Sequence, residues 1–107
     1  MLRWTERAIA DLFAIGEFIA ADDPLAARLW LARLRRRAQD AAALPRAARA
    51  VPELGRDDVR EVFVRRYCIV YRADADGIVV LTVFEGHRSW SALDPDTPAR
   101  EPERGDR

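Results

Sequence analysis

The residues of this chain best suited to chemistry follow directly on an apolar segment. Residues 78–84, IVVLTVF, are almost wholly apolar, and the sequence EGHR follows at 85–88. The imidazole of His87 can exchange a proton near neutral pH, and the guanidinium of Arg88 can bind phosphate oxygens in a bidentate geometry. A buried strand before them would hold both side chains in place. The alternative is that His87 and Arg88 are ordinary surface residues that follow a strand.

Other arginines are weaker candidates for binding. Arg60 and Glu61 are consecutive in a predicted strand, so their side chains point to opposite faces, and an exposed cross-strand ion pair is the simpler role. The Arg65-Arg66 pair marks a predicted hairpin, where a solvated turn is the simpler interpretation. A further cluster lies in a predicted helix, and a solvated face is favoured there over contact with a phosphate backbone. Its members are Arg33, Arg35, Arg36 and Arg37.

The aromatic and sulfur-containing side chains have simple structural interpretations. Trp4, Trp30 and Trp90 could stack on nucleic-acid bases, but packing in the core or at its rim is the simpler role for each. Cys68, in the middle of a predicted strand, is predicted to be a small buried hydrophobic residue.

Motifs and composition exclude several kinds of site. The sequence has no Gly-rich phosphate loop, no GxSxG motif and no paired Cys or Cys/His metal spacing. We therefore expect no cofactor, no metal and no small-molecule substrate. One His and one Cys cannot form a structural zinc site by themselves. All 18 basic residues are Arg, so no Lys is present to act as a catalytic base.

Cysteine use and charge indicate the compartment and the kind of partner. One cysteine excludes an internal disulfide and fits a reducing cytoplasm, and no apolar run is long enough to span a bilayer. We therefore expect a cytoplasmic protein that does not bind a membrane. The net charge is zero, but residues 28–66 contain 11 Arg against 5 acidic residues. This basic middle region suits an acidic partner, or else a solvated helix face whose charges are compensated in space.

Three predicted strands must position the candidate residues. Residues 59–65 mix Val and Phe with charged residues, as a half-solvated strand does, and residues 67–72 alternate between two faces. The sequence ADADG at 73–77 closes a second hairpin, in which Gly77 can take a positive φ. Residues 78–84 are predicted to form the central strand, buried on both faces.

The residues before these strands predict an edge strand and two helices. Residues 2–4 form the short edge strand, and Thr5 caps the first helix. Asp23 caps the second helix, which begins at Pro24 and runs to about Ala43. The break between the helices is too short for anything except a helical hairpin.

The predicted fold class is α+β, in the order β-α-α-β-β-β. A helical hairpin packed on one face of a small antiparallel sheet is a stable two-layer arrangement. Residues 1–93 form a single domain, and within it residues 45–57 form a loop with two prolines and a glycine. Residues 94–107 are rich in charge and proline, and they are predicted to form a flexible tail.

Six segments of the chain occur in a recognisable order and spacing. They are WTERAIADLFAIGEFI at 4–19, DPLAA at 23–27, VPELGR at 51–56, VREVF at 59–63, YCIVYR at 67–72 and VFEGHR at 83–88. Together they resemble the RelE/ParE toxin superfamily over nearly the whole globular part. The resemblance implies a toxin of a bacterial type II toxin–antitoxin pair. An antitoxin would neutralise it by wrapping an extended or helical segment around the α+β domain.

Two activities divide this superfamily. RelE-like members cut mRNA in the ribosomal A site without a metal, using basic residues on the sheet and often a C-terminal Tyr or His. ParE-like members bind DNA gyrase and catalyse no reaction themselves. The nuclease motif at the third strand reads Tyr-Arg-Ile, whereas this chain has Tyr67-Cys68-Ile69, and no Tyr follows Arg88. A thiol cannot stabilise a developing negative charge as a guanidinium does.

The resemblance therefore favours a ParE-like gyrase inhibitor, a function linked to growth inhibition and plasmid stabilisation. The predicted target-contact residues are Arg60, Arg65, His87, Arg88 and Trp90, all expected near one end of the sheet or its hairpin. The first alternative is a ribosome-dependent mRNA endonuclease with Arg60, His87 and Arg88 as catalytic candidates. The second is a toxin-fold adaptor without activity. We expect the antitoxin to dock on the apolar side of the helical hairpin and on the sheet edge.

Overall fold

The computed structural model describes residues 1–86 and 93–101. Within these ranges the chain forms five strands, two α-helices and a short 3₁₀ helix. In chain order they are β1 (Leu2–Trp4), α1 (Glu6–Ala20), α2 (Pro24–Ala43), β2 (Arg49–Ala50), the 3₁₀ helix (Pro52–Leu54), β3 (Val59–Val64), β4 (Tyr67–Asp74) and β5 (Gly77–Glu85). Neither of the described α-helices is long and apolar enough to cross a membrane.

The strands form one mixed sheet in the order β1-β5-β4-β3-β2. β2 to β5 pair in antiparallel fashion, whereas β1 pairs with β5 in parallel. The predicted α+β fold with its helical hairpin is confirmed, and the sheet differs from the antiparallel prediction in two ways. β1 is parallel because the chain crosses over through the helical hairpin before it returns to the sheet. β2 was not predicted because it has two residues and lies in the loop that contains prolines and a glycine.

β4, and not β5, is the middle strand of the sheet. β5 was predicted to be central because residues 78–84 are apolar, and these residues are indeed buried on both faces. The strand is covered on both sides although it lies second from an edge, because α1 packs on one face and residues 93–101 lie on the other. Gly77 takes a φ of 129°, as predicted for the hairpin that precedes β5.

Local signals set both helix starts as predicted. The Thr5 hydroxyl accepts a hydrogen bond from the Ala8 N–H at 3.0 Å and donates one to the Leu81 carbonyl at 3.0 Å, so this cap also ties α1 to β5. Asp23 caps α2 through the Ala26 N–H at 3.1 Å, and a proline follows at the first helical position. Each such cap contributes about 1 kcal/mol to stability.

The sheet separates two apolar clusters. The larger cluster lies between the sheet and the helices, and it contains Tyr67, Ile69 and Tyr71 of β4. Cys68 and Val70 lie in the second cluster, on the opposite face. The predicted alternation of β4 side chains between the two faces is therefore confirmed.

Residues 93–101 lie across the sheet face opposite the helices. The Arg72 guanidinium donates hydrogen bonds to two of their carbonyl groups at 2.6 and 3.0 Å, and Arg56 pairs with Asp96 at 2.9 Å. The Arg100 N–H donates to a carbonyl of β1 at 2.7 Å. The predicted tail thus begins with residues that contact the domain, because arginines from other parts of the chain anchor them.

Candidate target-contact site

The β3–β4 hairpin and the end of β5 form one surface, here called the hairpin end. A two-residue loop, Arg65-Arg66, joins β3 to β4. The Gly86 N–H donates a hydrogen bond to the Arg66 carbonyl at 2.9 Å, and Arg66 Nε lies 3.0 Å from Glu85 Oε2. The hairpin end is defined by Arg65, Arg66, Glu85 and Gly86. It is the point at which the described chain leaves β5.

Arg65 is exposed and has an unusual backbone conformation. Its φ is 55°, and it is the one non-glycine residue with a positive φ among those that the structure describes. A side chain in this region costs on the order of 1–2 kcal/mol relative to glycine. The described carboxylates form no ion pair with its guanidinium, whereas the neighbouring Arg66 is paired with Glu85. Arg65 therefore presents an available cation on a strained turn.

Three of the predicted target-contact residues, His87, Arg88 and Trp90, lie outside the described residues. The described chain reaches the hairpin end at Gly86, which directly precedes His87 in the sequence. Contact of these three side chains with a target stays a prediction.

Arg60 lies near the start of β3, at the opposite end of the strand from the hairpin. The expectation that all five target-contact residues lie near one end of the sheet or its hairpin therefore does not hold for Arg60. Its guanidinium donates hydrogen bonds to the carbonyls of Asp57, Arg46 and Ala48 at 2.9, 2.9 and 2.6 Å, and it pairs with the Asp57 carboxylate at 2.7 Å. Only 13% of the side chain is exposed. These contacts fasten the preceding loop to the sheet and leave little of Arg60 for a partner.

Glu61 and Cys68 lie on the sheet face opposite the helices. The buried Glu61 carboxylate pairs with Arg49 Nε at 2.7 Å between neighbouring strands, so Glu61 forms the cross-strand ion pair that its position predicted, although in a buried setting. Cys68 Sγ lies 3.6 Å from Glu61 Oε1. Burial, followed by the nearby Glu61 carboxylate, raises the pKa of the Cys68 thiol to about 12. Cys68 is buried, as predicted, and its protonated thiol is not a nucleophile near neutral pH.

The two buried tyrosines are also poorly placed to exchange protons. Burial, followed by the Glu85 carboxylate, raises the pKa of Tyr67 beside the hairpin end. Burial raises the pKa of Tyr71, whose hydroxyl donates a hydrogen bond to the Pro45 carbonyl at 2.6 Å. In the part of the chain that the structure describes, no group of three or more His, Cys, Asp or Glu side chains could hold a metal ion.

A groove between α2 and β3 was not predicted from the sequence. This α2–β3 groove has a volume of about 930 Å³ and reaches Arg65 of the hairpin end. Its apolar lining includes Leu29, Trp30 and Phe63, and four arginines lie around them. The sequence shows one part of this groove, the arginine cluster of α2. The position of this cluster beside the end of β3 depends on how the helix packs, and sequence spacing does not give that.

Comparisons with known proteins agree with this architecture. The sequence model of the family described as "ParE toxin of type II toxin-antitoxin system, parDE" matches residues 2–90 of the chain. The chain belongs to the ParE toxin family. It is 36% identical over 92 residues to the protein named "Putative toxin Y4kP" of Sinorhizobium fredii, an alignment that covers 83% of this chain and 91% of that protein.

The fold is also similar to that of a solved structure. A chain of the "Chromosomal ParDE TA system from P. aeruginosa" superposes with a TM-score of 0.67 at 19% identity, covering 80% of this chain and 95% of that chain. The resemblance to the RelE/ParE superfamily, with the ParE-like branch favoured, is therefore confirmed. As a ParE-family toxin, this chain belongs to a type II toxin–antitoxin system, in which the toxin has a cognate antitoxin as partner.

Proposed function

We propose that this ParE-family toxin is a cytoplasmic inhibitor of DNA gyrase that its cognate antitoxin neutralises. The toxin acts by binding, and it catalyses no reaction of its own. The hairpin end contacts the target through Arg65, together with His87, Arg88 and Trp90, which follow Gly86 in the sequence. Arg60 stabilises the fold and is not part of this contact.

The observation that carries this proposal is the environment of Cys68. The resemblance assigns a catalytic arginine to this position in the nuclease branch, where a guanidinium would stabilise negative charge on the scissile phosphate. In this chain the residue is 2% exposed, its thiol is protonated, and residues 93–101 lie across the same face of the sheet. A buried neutral group cannot stabilise charge on an RNA phosphate, and this supports binding over cleavage.

The rest of that face also supports binding. Glu61, the buried acid beside Cys68, is paired with Arg49 at 2.7 Å, so its carboxylate is already satisfied within the fold. By contrast, Arg65 is exposed at the hairpin end. An exposed cation beside a rigid strand end suits attachment to an acidic surface of another macromolecule.

Two assays run in parallel test the proposal. Purified toxin is titrated into a gyrase supercoiling reaction with relaxed plasmid, and the same preparation is added to a cell-free translation reaction whose mRNA is mapped by primer extension. We expect supercoiling to stop while the mRNA stays intact. Relaxation by topoisomerase I serves as the specificity control, and prior mixing with the antitoxin should restore supercoiling.

The opposite pattern would contradict the proposal. mRNA cut only in the presence of ribosomes, with supercoiling unaffected, would identify the nuclease alternative. No effect in either assay, from a toxin that melts cooperatively and binds its antitoxin, would identify the adaptor without activity.

A further inference from the structure

We infer that the toxin binds the phosphate backbone of duplex DNA through an arginine ridge beside the α2–β3 groove. The arginine ridge consists of Arg33, Arg36 and Arg37 of α2 together with Arg65 of the hairpin end. The inference deepens the proposed function and rests on it for its setting, because gyrase holds duplex DNA while it acts. Binding of DNA by the toxin alone is a separate property, and it can be measured without gyrase.

Two elements bring the arginines of the ridge together. Arg33 and Arg37 are four residues apart, so they lie on the same face of α2, about 6 Å apart along the helix axis. Arg65 lines the same groove from the hairpin that joins β3 to β4. The ridge is therefore assembled by the fold, and it is more than the solvated face of one helix.

The positive charge of the ridge is not neutralised within the described part of the chain. Asp40 is the one carboxylate among the described lining residues, and it is paired with Arg36 at 3.3 Å. No described carboxylate forms an ion pair with Arg33, Arg37 or Arg65. Like charges four residues apart on a helix repel each other, so an external anion would stabilise this arrangement.

The polar side chains of the ridge are hydrogen-bond donors. A guanidinium donates hydrogen bonds and accepts none, and the described lining residues include no Ser, Thr, Asn or Gln. A protein surface presents donors and acceptors together, because almost every peptide unit carries one of each. The phosphate oxygens of DNA are acceptors only, and at least half of all protein–DNA hydrogen bonds are made to the sugar–phosphate backbone. A surface of donors therefore matches DNA better than it matches a polypeptide.

Duplex DNA fits the ridge better than a single strand does. Single-stranded nucleic acid is held largely by bases that stack on open aromatic faces. The Arg33 guanidinium lies over the ring of Trp30, 4.6 Å from its centroid, and this ring also packs against Tyr67. Phe63, at the border of the groove, pairs with Cys68 and so points to the other side of the sheet. The stacked guanidinium keeps the N–H groups in its plane available to phosphate oxygens.

The number of arginines without a described carboxylate partner sets the expected salt dependence. Each neutralised phosphate adds about −0.9 to the slope of log K against log salt, so Arg33, Arg37 and Arg65 predict a slope of about −3. So few contacts bind weakly at physiological salt. A toxin that gyrase already holds would meet the DNA at a high effective concentration, which makes a weak contact sufficient.

Fluorescence anisotropy with a labelled duplex tests the ridge on the purified toxin. The titration covers about 10 to 100 mM salt, where a slope can be measured for a weak complex. The double variant Arg33→Glu/Arg37→Glu is expected to lose about 2 from the magnitude of the slope, because two phosphate contacts are removed. Arg33→Lys/Arg37→Lys keeps both charges and should keep most of the slope.

The matched control is the double variant Arg28→Glu/Arg35→Glu. It makes the same change of net charge at two exposed positions of α2, and neither residue lines the groove of the ridge. Since long-range repulsion is then equal in the two variants, the ridge variant should bind DNA at least tenfold more weakly than the control, which keeps the wild-type slope. Thermal melts of all variants verify folding.

Gyrase provides a second measurement. The affinity of the toxin for gyrase is measured by titration calorimetry with and without the same duplex. We expect DNA to tighten the binding of the wild-type toxin by at least tenfold. The Arg33→Glu/Arg37→Glu variant should lose this gain, whereas the Arg28→Glu/Arg35→Glu control should keep it.

Several results would overturn the inference. A wild-type toxin that does not bind the duplex at low salt, or equal losses in the ridge variant and the control, would refute the ridge, while gyrase inhibition would stand. Tighter binding of a single strand of the same length would refute the preference for a duplex. Binding of polyglutamate in place of the duplex would show that the ridge holds an acidic polypeptide. A toxin that binds the duplex through the ridge but does not bind gyrase would support the ridge and refute the proposed function.

Discussion

Replacing Arg65 by glycine is expected to stabilise the toxin while weakening its contact with the target. Arg65 has a φ of 55°, a conformation that glycine adopts without steric cost. Its side chain is exposed and makes no ion pair with a described carboxylate. The substitution therefore removes backbone strain without breaking a described ion pair.

The expected gain follows from two opposing terms. Relief of the left-handed conformation contributes on the order of 1–2 kcal/mol, and the greater freedom of glycine in the unfolded chain costs about 0.5–1 kcal/mol. The net gain is about 0.5–1 kcal/mol. For a domain of this size, such a gain raises Tm by roughly 2–6 °C.

Arg66→Gly is the matched control, because Arg66 occupies the same loop without a positive φ. There the glycine relieves no strain, and the Arg66–Glu85 pair at 3.0 Å is lost, so Tm is expected to fall by a few degrees. Arg65→Asn is the second control, since asparagine tolerates the left-handed region better than arginine and carries no charge. It should keep or raise Tm and weaken target contact as Arg65→Gly does.

Differential scanning calorimetry and a gyrase inhibition titration together measure both effects. We expect Arg65→Gly to raise Tm and to raise the half-inhibitory concentration by about tenfold, equivalent to about 1.4 kcal/mol of binding free energy. A lower Tm would refute the strain assigned to Arg65. Full inhibition by a variant that melts higher would refute its contact with the target.

Three further predictions concern the support of the fold. Arg60→Ala is expected to lower the free energy of unfolding by about 2–3 kcal/mol and Tm by about 10 °C, because three carbonyls lose a mostly buried charged donor. An unchanged Tm together with lost inhibition would show that Arg60 contacts the target instead of supporting the fold. The Arg56 guanidinium lowers the pKa of Asp58, so the stabilisation from this carboxylate is present above about pH 4 and is lost as the pH falls through its folded-state pKa. Urea unfolding of Asp58→Asn between about pH 5 and pH 2 should therefore show a shallower loss of stability than wild type, and equal slopes would contradict this. Because the pKa of Cys68 is raised to about 12, the native state should lose stability as the pH rises from about 9 towards 12. Cys68→Ala should reduce that loss in urea unfolding at alkaline pH, and rapid reaction of the folded wild type with a thiol reagent would contradict the burial of Cys68.

The features that the sequence predicted correctly depend on residues that are close together in the chain. Thr5 caps the N–H of a residue three positions later, and Asp23 does the same for α2. The alternation of β4 side chains follows from the two-residue period of a strand. Such signals need no knowledge of the tertiary structure, so helix starts, strand faces and the layer arrangement could be predicted.

The features that were missed depend on distant partners. Arg60 was predicted to contact a target, with a cross-strand ion pair as the simpler alternative. In the fold its donors are taken up by carbonyls of Asp57, Arg46 and Ala48, which the loop before β3 brings together. Likewise, the Arg72 guanidinium holds residues 93–101 through carbonyls that any sequence would supply. Backbone acceptors have no sequence signature, so the side chains that use them cannot be identified by pattern.

Arg65 occupies a turn position where glycine would be more stable, because its φ is 55°. Arg66, the other residue of the same loop, has no positive φ and is paired with Glu85, so the strain is confined to the residue whose guanidinium makes no ion pair with a described carboxylate. Under the proposed function, that exposed guanidinium contacts the target. A substitution that relieves the strain is therefore expected to weaken inhibition, and the contact with the target accounts for an arginine at this turn in spite of its conformational cost.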